Sequence, residues 1–284
     1  MPNKFLLFLA QMIFLCASAS AKEVTIEGVY QYILPPTMNE AEGKEVALNR
    51  AIIQALANEF GTIVTSEAWT DIKNDNSESS LSFWQMGNSF VKGEWLGPIS
   101  EPVFRKYLSD DGDLVIEVKV KGKAREIQTS PIKLKTFLSL PSSGLENNRF
   151  KSGSRFTLYF TAPVSGYLSV YLADETGNVI RLLPYSQEQE SHVPVEAMKE
   201  YEFFTSQDGF QEQYTFETDK AKERNIVYVL FSTNKYIRPL DSFDKDSTLR
   251  ILKYKDFIKW TSELRSIDKS FNLSTLPVEI ISTD

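Results

Sequence analysis

Hydrophobic and polar residues alternate most clearly in the middle of the chain, over positions 155–172. A period of two places apolar side chains on one face of a strand, so two antiparallel strands are predicted there. The inward positions are Phe156, Leu158, Phe160, Leu168, Val170 and Leu172. The outward positions include Tyr159, Tyr167 and Tyr171. An Asp-Glu-Thr-Gly turn at 174–177 leads into a further strand at 179–183, and together these strands predict a sandwich-like core.

A helical period appears nearer the start of the chain. Leu48, Ile52 and Leu56 recur at four-residue steps, which predicts one amphipathic helix over 39–60 with Arg50 facing elsewhere. A second, shorter helix is predicted near the end of the chain from its apolar spacing.

Strands are predicted on both sides of the long helix. Thr37 or Asn39 can cap the start of the helix, and a strand at 23–32 precedes it. A hairpin of strands at 103–108 and 114–120 follows it, joined by an Asp-Asp-Gly turn.

These elements predict an α+β fold in two domains. Residues 22–127 form an N-terminal layer of antiparallel strands with one long helix. Residues 131–284 form a β-sandwich-like, β-rich domain with a C-terminal helix at 255–267. The length of 284 residues suits two domains of ordinary size.

The first residues have the pattern of a secretory signal peptide. Lys4 precedes an apolar run over 5–16, and Ala-Ser-Ala at 19–21 is a small-x-small cleavage site. The run is too short to cross a bilayer core of roughly 30 Å. Export to the periplasm, the outer membrane or the cell surface is therefore expected, with residues 1–21 removed.

Lipidation of Cys16, the only cysteine, is the competing interpretation of this segment. Leu15 argues against it, because a lipoprotein box has a small residue immediately before the cysteine. Mass spectrometry of the mature N-terminus separates the two, since signal cleavage leaves a chain that begins at Lys22. No transmembrane segment is expected in that mature chain.

Charge excludes one class of partner. The net charge of −7 makes a protein that binds nucleic-acid backbones implausible. Lys119, Lys121 and Lys123 alternate along one predicted strand and are interpreted as a solvated edge.

The residues that usually carry catalysis or bind metal form no recognisable pattern, so no catalytic, cofactor or metal residue is predicted. His192 is the only histidine and lies in a polar loop, which favours a solvated side chain. Asp241, Asp244 and Asp246 lack the spacing of a calcium loop and are interpreted as ordinary loop carboxylates. A carboxylate pair for hydrolysis stays open, because the 38 acidic residues offer many pairs and none stands out.

Aromatic side chains are the candidate binding residues. Trp84, Phe90 and Trp95 either line a binding groove or fill the core between helix and sheet. The tyrosines on the outward face described above (Tyr159, Tyr167 and Tyr171) are the second candidate surface.

The C-terminal part resembles the bacterial family called domain of unknown function 4384, over residues 133–235. The matching positions are Phe150, Gly153, Gly166-Tyr167-Leu168, Asp174, Gly177, Leu183-Pro184 and the strand at 227–232. The resemblance implies a β-rich module of envelope and signalling proteins, attached to other domains and without a reaction of its own.

The N-terminal part resembles the N-terminal domain of flagellar assembly protein T and related envelope lipoproteins. Gly28, the alanines of the long helix and Lys121-Gly122 carry this resemblance over residues 23–127, while 71–97 departs from it as an insert. It implies a noncatalytic periplasmic or outer-membrane-associated protein.

The expected function is that of a noncatalytic scaffold or adaptor in a bacterial envelope assembly or secretion apparatus, with envelope proteins as partners. A carbohydrate- or peptidoglycan-binding module is the alternative, in which the ligand is a glycan. A hydrolase with an unrecognised carboxylate pair is the second alternative.

Overall fold

A computed structural model describes residues 22–62, 91–127, 129–205, 213–244 and 248–283. It confirms a mixed α+β fold in which antiparallel strands predominate. The N-terminal elements are β1 (Glu23–Ile33), α1 (Glu40–Phe60), β2 (Gly93–Pro98), β3 (Val103–Leu108) and β4 (Leu114–Glu126).

The N-terminal sheet is built around the long strand β4. β1 pairs with β4 along its whole length, while β3 and β2 pair with successive halves of its other edge. The helix α1 packs on one face of this sheet, where Ala51 lies against Gly28. Small residues on both elements allow this close approach.

The start of α1 is set by a capping box. The side chain of Asn39 accepts a hydrogen bond from the backbone N–H of Glu42 at 3.0 Å, and the Glu42 carboxylate accepts from the Asn39 N–H at 3.3 Å. Two backbone donors that the first turn leaves open are thereby satisfied.

The expectation that Arg50 faces away from the packed side of α1 is wrong, because this side chain is buried and lies over the ring of Tyr30 at 5.8 Å.

The carboxylate of Glu40 links α1 to β3 and gives a pH-dependent prediction. Hydrogen bonds from Lys106 and from Lys44, both at 2.7 Å, lower the pKa of Glu40 from 4.5 to about 2. A lowered carboxyl pKa stabilises the fold above its ordinary value, and this stabilisation is lost as the pH falls through the folded-state pKa. Glu40→Gln should therefore unfold at a lower temperature than wild type at pH 7, and the two proteins should converge near pH 2.

Thermal unfolding of both proteins at the two pH values measures this difference, which should be small because the side chains are exposed. Glu45→Gln is the matched control, since Glu45 is exposed on the same helix and has no ion pair with any described residue. A difference between Glu40→Gln and wild type that persists at pH 2 would contradict the assignment.

The C-terminal part of the chain contains most of the strands and the second helix. Its elements are β5 (Lys135–Ser139), β6 (Arg149–Lys151), β7 (Ser154–Arg155), β8 (Thr157–Thr161), β9 (Gly166–Ala173), β10 (Asn178–Leu183), β11 (Val193–Val195), β12 (Tyr201–Phe203), β13 (Thr215–Phe216), β14 (Lys222–Ser232), β15 (Ser242–Phe243), β16 (Arg250–Lys253), α2 (Tyr254–Ile267) and β17 (Asn272–Ile281).

A large sheet forms the centre of this part. Its order is β15-β16-β10-β9-β14-β17-β6, with β11 added beside β9, and a smaller sheet of order β12-β8-β5 faces it. Leu168 and Val170 of β9 point into the core between the two sheets, as their alternation predicts. The predicted sandwich-like architecture is confirmed.

Both faces of the central strands are buried. The helix α2 covers the face of the large sheet that lies away from the sandwich core. Tyr171 therefore packs at 5.2 Å from Phe257 and 5.8 Å from Trp260, and it is fully buried. The expectation that Tyr171 is outward is wrong, because alternation identifies two faces of a strand but not which of them another element covers.

The apolar cluster under α2 continues into the N-terminal part of the chain. It joins Phe257 and Leu264 to Leu56 of α1 and Val120 of β4. The two parts thus share buried apolar surface, and the division at 127/131 stays a prediction. None of the helices in the described part of the chain combines the length and the apolar character that a membrane crossing needs.

Candidate functional site

The predicted aromatic residues do not form one surface. Trp84 and Phe90 lie outside the described residues. Tyr159 stacks on Phe137 at 4.9 Å in the smaller sheet, and Tyr167 belongs to the large sheet. Burial and, secondarily, the nearby carboxylate of Glu202 raise the pKa of the Tyr159 hydroxyl.

His192 is not the solvated loop residue that the sequence suggests. Its ring packs 4.4 Å from Tyr167 and 5.3 Å from Tyr236, and burial lowers its pKa. The hydroxyl of Tyr236 donates to Ser169 at 2.9 Å, so the polar side chains beside the histidine belong to a packed aromatic cluster.

Asp241 is also more than a loop carboxylate. It lies 2.9 Å from the Nε of Arg181, and the two side chains are 4% and 0% exposed, respectively. The contact is an ion pair rather than a linear hydrogen bond. The Arg181 guanidinium also donates to the carbonyl groups of Pro184, Ser186 and Glu188 at 3.1–3.2 Å, which holds the loop after β10 in place.

A cleft lies where the N-terminal sheet meets α2. It consists of two adjoining cavities of about 410 and 530 Å³, which share Glu94 and Arg265 in their walls. Apolar side chains from both parts of the chain line the first cavity: Val91, Trp95, Ile127, Ile258 and Leu273. This size and lining suit a small organic ligand.

Trp95 has two roles in this cleft. It is half-buried in the cavity wall, and its six-membered ring also packs on Gly122 so closely that a Cβ there would overlap the ring. The sequence predicts either a position in a binding groove or a position in the core for Trp95, and the structure places its side chain at the boundary between the two. Its participation in binding stays a prediction.

The polar side chains of the cleft are unequally satisfied. Two nitrogen atoms of Arg125 lie 2.8 Å from one Glu94 oxygen, and the Ser262 hydroxyl donates to the other. Arg265 lines both cavities, yet it forms no hydrogen bond or ion pair with the described residues. Burial lowers the pKa of Arg265, and the charge of Glu94 opposes this effect.

A second surface is the face of the N-terminal sheet opposite α1, which we call the outer face. Alternate residues of β3 identify it, because Lys106 points towards Glu40 of α1 and the neighbouring Val103 and Tyr107 point away. No described helix or strand packs on this face. Four large apolar side chains are exposed on it: Val29 at 52%, Ile33 at 57%, Val103 at 58% and Tyr107 at 41%.

Strand register arranges these side chains in rows. Val29 and Val103 flank Lys119, and Ile33 and Tyr107 flank Val115. The next lysines along β4 are not merely a solvated edge, because Lys121 pairs with Glu27 at 2.6 Å and Lys123 with Glu23 at 3.1 Å. Between the two apolar rows lies a polar row of Gln31, Glu117 and Arg105, in which Gln31 donates to Glu117 at 3.0 Å, so the outer face alternates apolar and polar rows and continues into paired charges.

Sequence reasoning missed both the outer face and Arg265. The alternation of Val29 with buried Gly28 predicts two faces of β1, but it does not reveal that no described element covers the face of Val29. The single arginine in the amphipathic pattern of α2 carried no indication of a cavity. Within the described ranges, no group of three or more His, Cys, Asp or Glu side chains is placed to hold a metal ion.

Comparisons with known proteins add no identity to these surfaces. The chain matches none of the family models and none of the curated proteins with which it was compared. Its resemblances to domain of unknown function 4384 and to flagellar assembly protein T therefore stay predictions.

Proposed function

We propose that this chain is an exported, noncatalytic protein of the bacterial envelope that acts as a scaffold or adaptor in an assembly or secretion apparatus. The observation that carries the proposal is the outer face of the N-terminal sheet. Four exposed apolar side chains lie there, two on β1 and two on β3, on either side of β4, and clusters of exposed apolar side chains mark protein interaction sites.

The make-up of the outer face favours a folded protein partner. The pairing of β1 and β3 with β4 fixes the positions of Val29, Val103 and Tyr107, so these exposed apolar side chains lose little entropy on binding. The charged ladder of Lys121 and Lys123 with their glutamates forms a polar border, as protein interfaces commonly have. The predicted signal peptide and the two family resemblances support an envelope location.

Photo-crosslinking in intact cells tests this proposal. A photoreactive phenylalanine at Val103 should capture a specific envelope protein, identified by mass spectrometry, because this side chain is the most exposed of the four at 58%. The same photoreactive phenylalanine at position Leu145 is the control, since Leu145 is 73% exposed in a turn remote from the outer face. Equal capture from both positions, or only uncrosslinked monomer from Val103, would refute the proposal.

A further inference from the structure

We infer that Arg265 anchors a binding site for a small monocarboxylate with an apolar body, in the cleft between the N-terminal sheet and α2. This ligand site is separate from the outer face. It does not depend on the adaptor function proposed above.

The first support is the contrast between two arginines. Both lie in surroundings that lower the guanidinium pKa by burial. Arg181 has a carboxylate and three backbone carbonyl groups around it, whereas Arg265 has neither a hydrogen bond nor an ion pair among the described residues. Arg265 is partly buried, and a partly buried cation without a hydrogen bond or ion pair costs stability, a cost that is concentrated at functional sites.

The second support is the position of Arg265 in a cavity of ligand size. Arg265 lines both adjoining cavities. The charge of Glu94 acts on Arg265 without forming an ion pair with it, and the two Glu94 oxygens are bound by Arg125 and Ser262. The fork of N–H donors on a guanidinium matches the two oxygens of a carboxylate.

The charge balance of the cleft selects the ligand class. The charged residues that line the two cavities together are four cations and three acids, which gives a net charge of +1: Lys92, Arg125, Arg265 and Lys269, with Glu94, Glu126 and Asp268. One surplus positive charge suits a singly charged carboxylate better than a doubly charged phosphate. Ile127, Ile258 and Leu273 provide a wall for an apolar body.

Octanoate is the probe for this site, and octanol is its uncharged analogue. Calorimetric titration of the full mature chain should show octanoate binding at millimolar concentration or below, with octanol weaker by about tenfold or more because it lacks the charge-assisted hydrogen bonds. Acetate should also bind more weakly than octanoate, because it lacks the apolar body.

Two charge-neutralising variants complete the test. Arg265→Gln should weaken octanoate binding by about tenfold or more, while Arg155→Gln, an equal charge loss at an exposed residue outside the cleft, should bind like wild type. The inference is overturned if wild type binds no octanoate, if octanol binds equally well, or if a folded Arg265→Gln protein binds octanoate as wild type does. The octanoate–octanol comparison uses wild type alone, so it tests the inference even if the Arg265→Gln protein fails to fold.

Discussion

Asp241→Ala is expected to lower the free energy of unfolding by about 3–5 kcal/mol, because it leaves the Arg181 guanidinium buried without a counter-ion. The wild-type pair is almost fully enclosed, at 0% and 4% exposure. Arg250 also lies 3.8 Å from the other oxygen of Asp241, so the variant leaves two cations beside each other. The remaining carbonyl partners accept hydrogen bonds from the two terminal nitrogen atoms of Arg181 but cannot balance its charge.

Chemical denaturation of wild type and Asp241→Ala measures this loss. Glu27→Ala is the control, since it removes the partner of Lys121 from an exposed ion pair, and its unfolding midpoint should stay close to that of wild type. If Asp241→Ala were no less stable than the control, the buried charge of Arg181 would not need the Asp241 carboxylate, and the assignment would be wrong.

Gly28→Ala should be the most damaging small substitution in the N-terminal part of the chain, with a cost at the upper end of about 1–3 kcal/mol. A Cβ at Gly28 would overlap the carbonyl oxygen of Ala51 and lie 3.0 Å from its carbonyl carbon. The obstacle is helix backbone, so no side-chain rotation can relieve it. The strand and α1 would have to separate along the shared apolar core.

The double variant Gly28→Ala/Ala51→Gly tests this explanation. Removing the methyl group of Ala51 leaves its carbonyl in place, so the double variant should be no more stable than Gly28→Ala alone. Thermal unfolding monitored by circular dichroism gives the comparison. Recovery of the wild-type midpoint in the double variant would show that the contact is between side chains and that the proposed cause is wrong.

Features fixed by nearby residues could be predicted from the sequence. The capping box of Asn39 and Glu42 lies within one helical turn, and the turn before β10 closes through hydrogen bonds from Thr176 and Asn178 to Asp174. The alternation of Leu168 and Val170 likewise reports the inner face of β9 directly. In each case the physical cause acts within a few positions along the chain.

Features that depend on distant segments could not be predicted. Arg181 stands in an apolar strand, and its carboxylate partner comes from a loop beyond β14, so nothing local marks the pair as buried. Alternation places Tyr171 on the outward face, but α2 covers that face, which only the tertiary fold decides. The cleft around Arg265 arises only where two separate parts of the chain meet.

The central claim is that the chain binds its partner through the outer face. The most direct test is to measure the affinity of the crosslinked partner for purified variants of the chain. Val103→Glu places a carboxylate opposite Lys119, so the sheet should tolerate it while the apolar patch is lost. The partner should bind Val103→Glu at least about tenfold more weakly than wild type, and Leu145→Glu should bind it like wild type. Equal affinity of the partner for a folded Val103→Glu protein and for wild type would contradict the account.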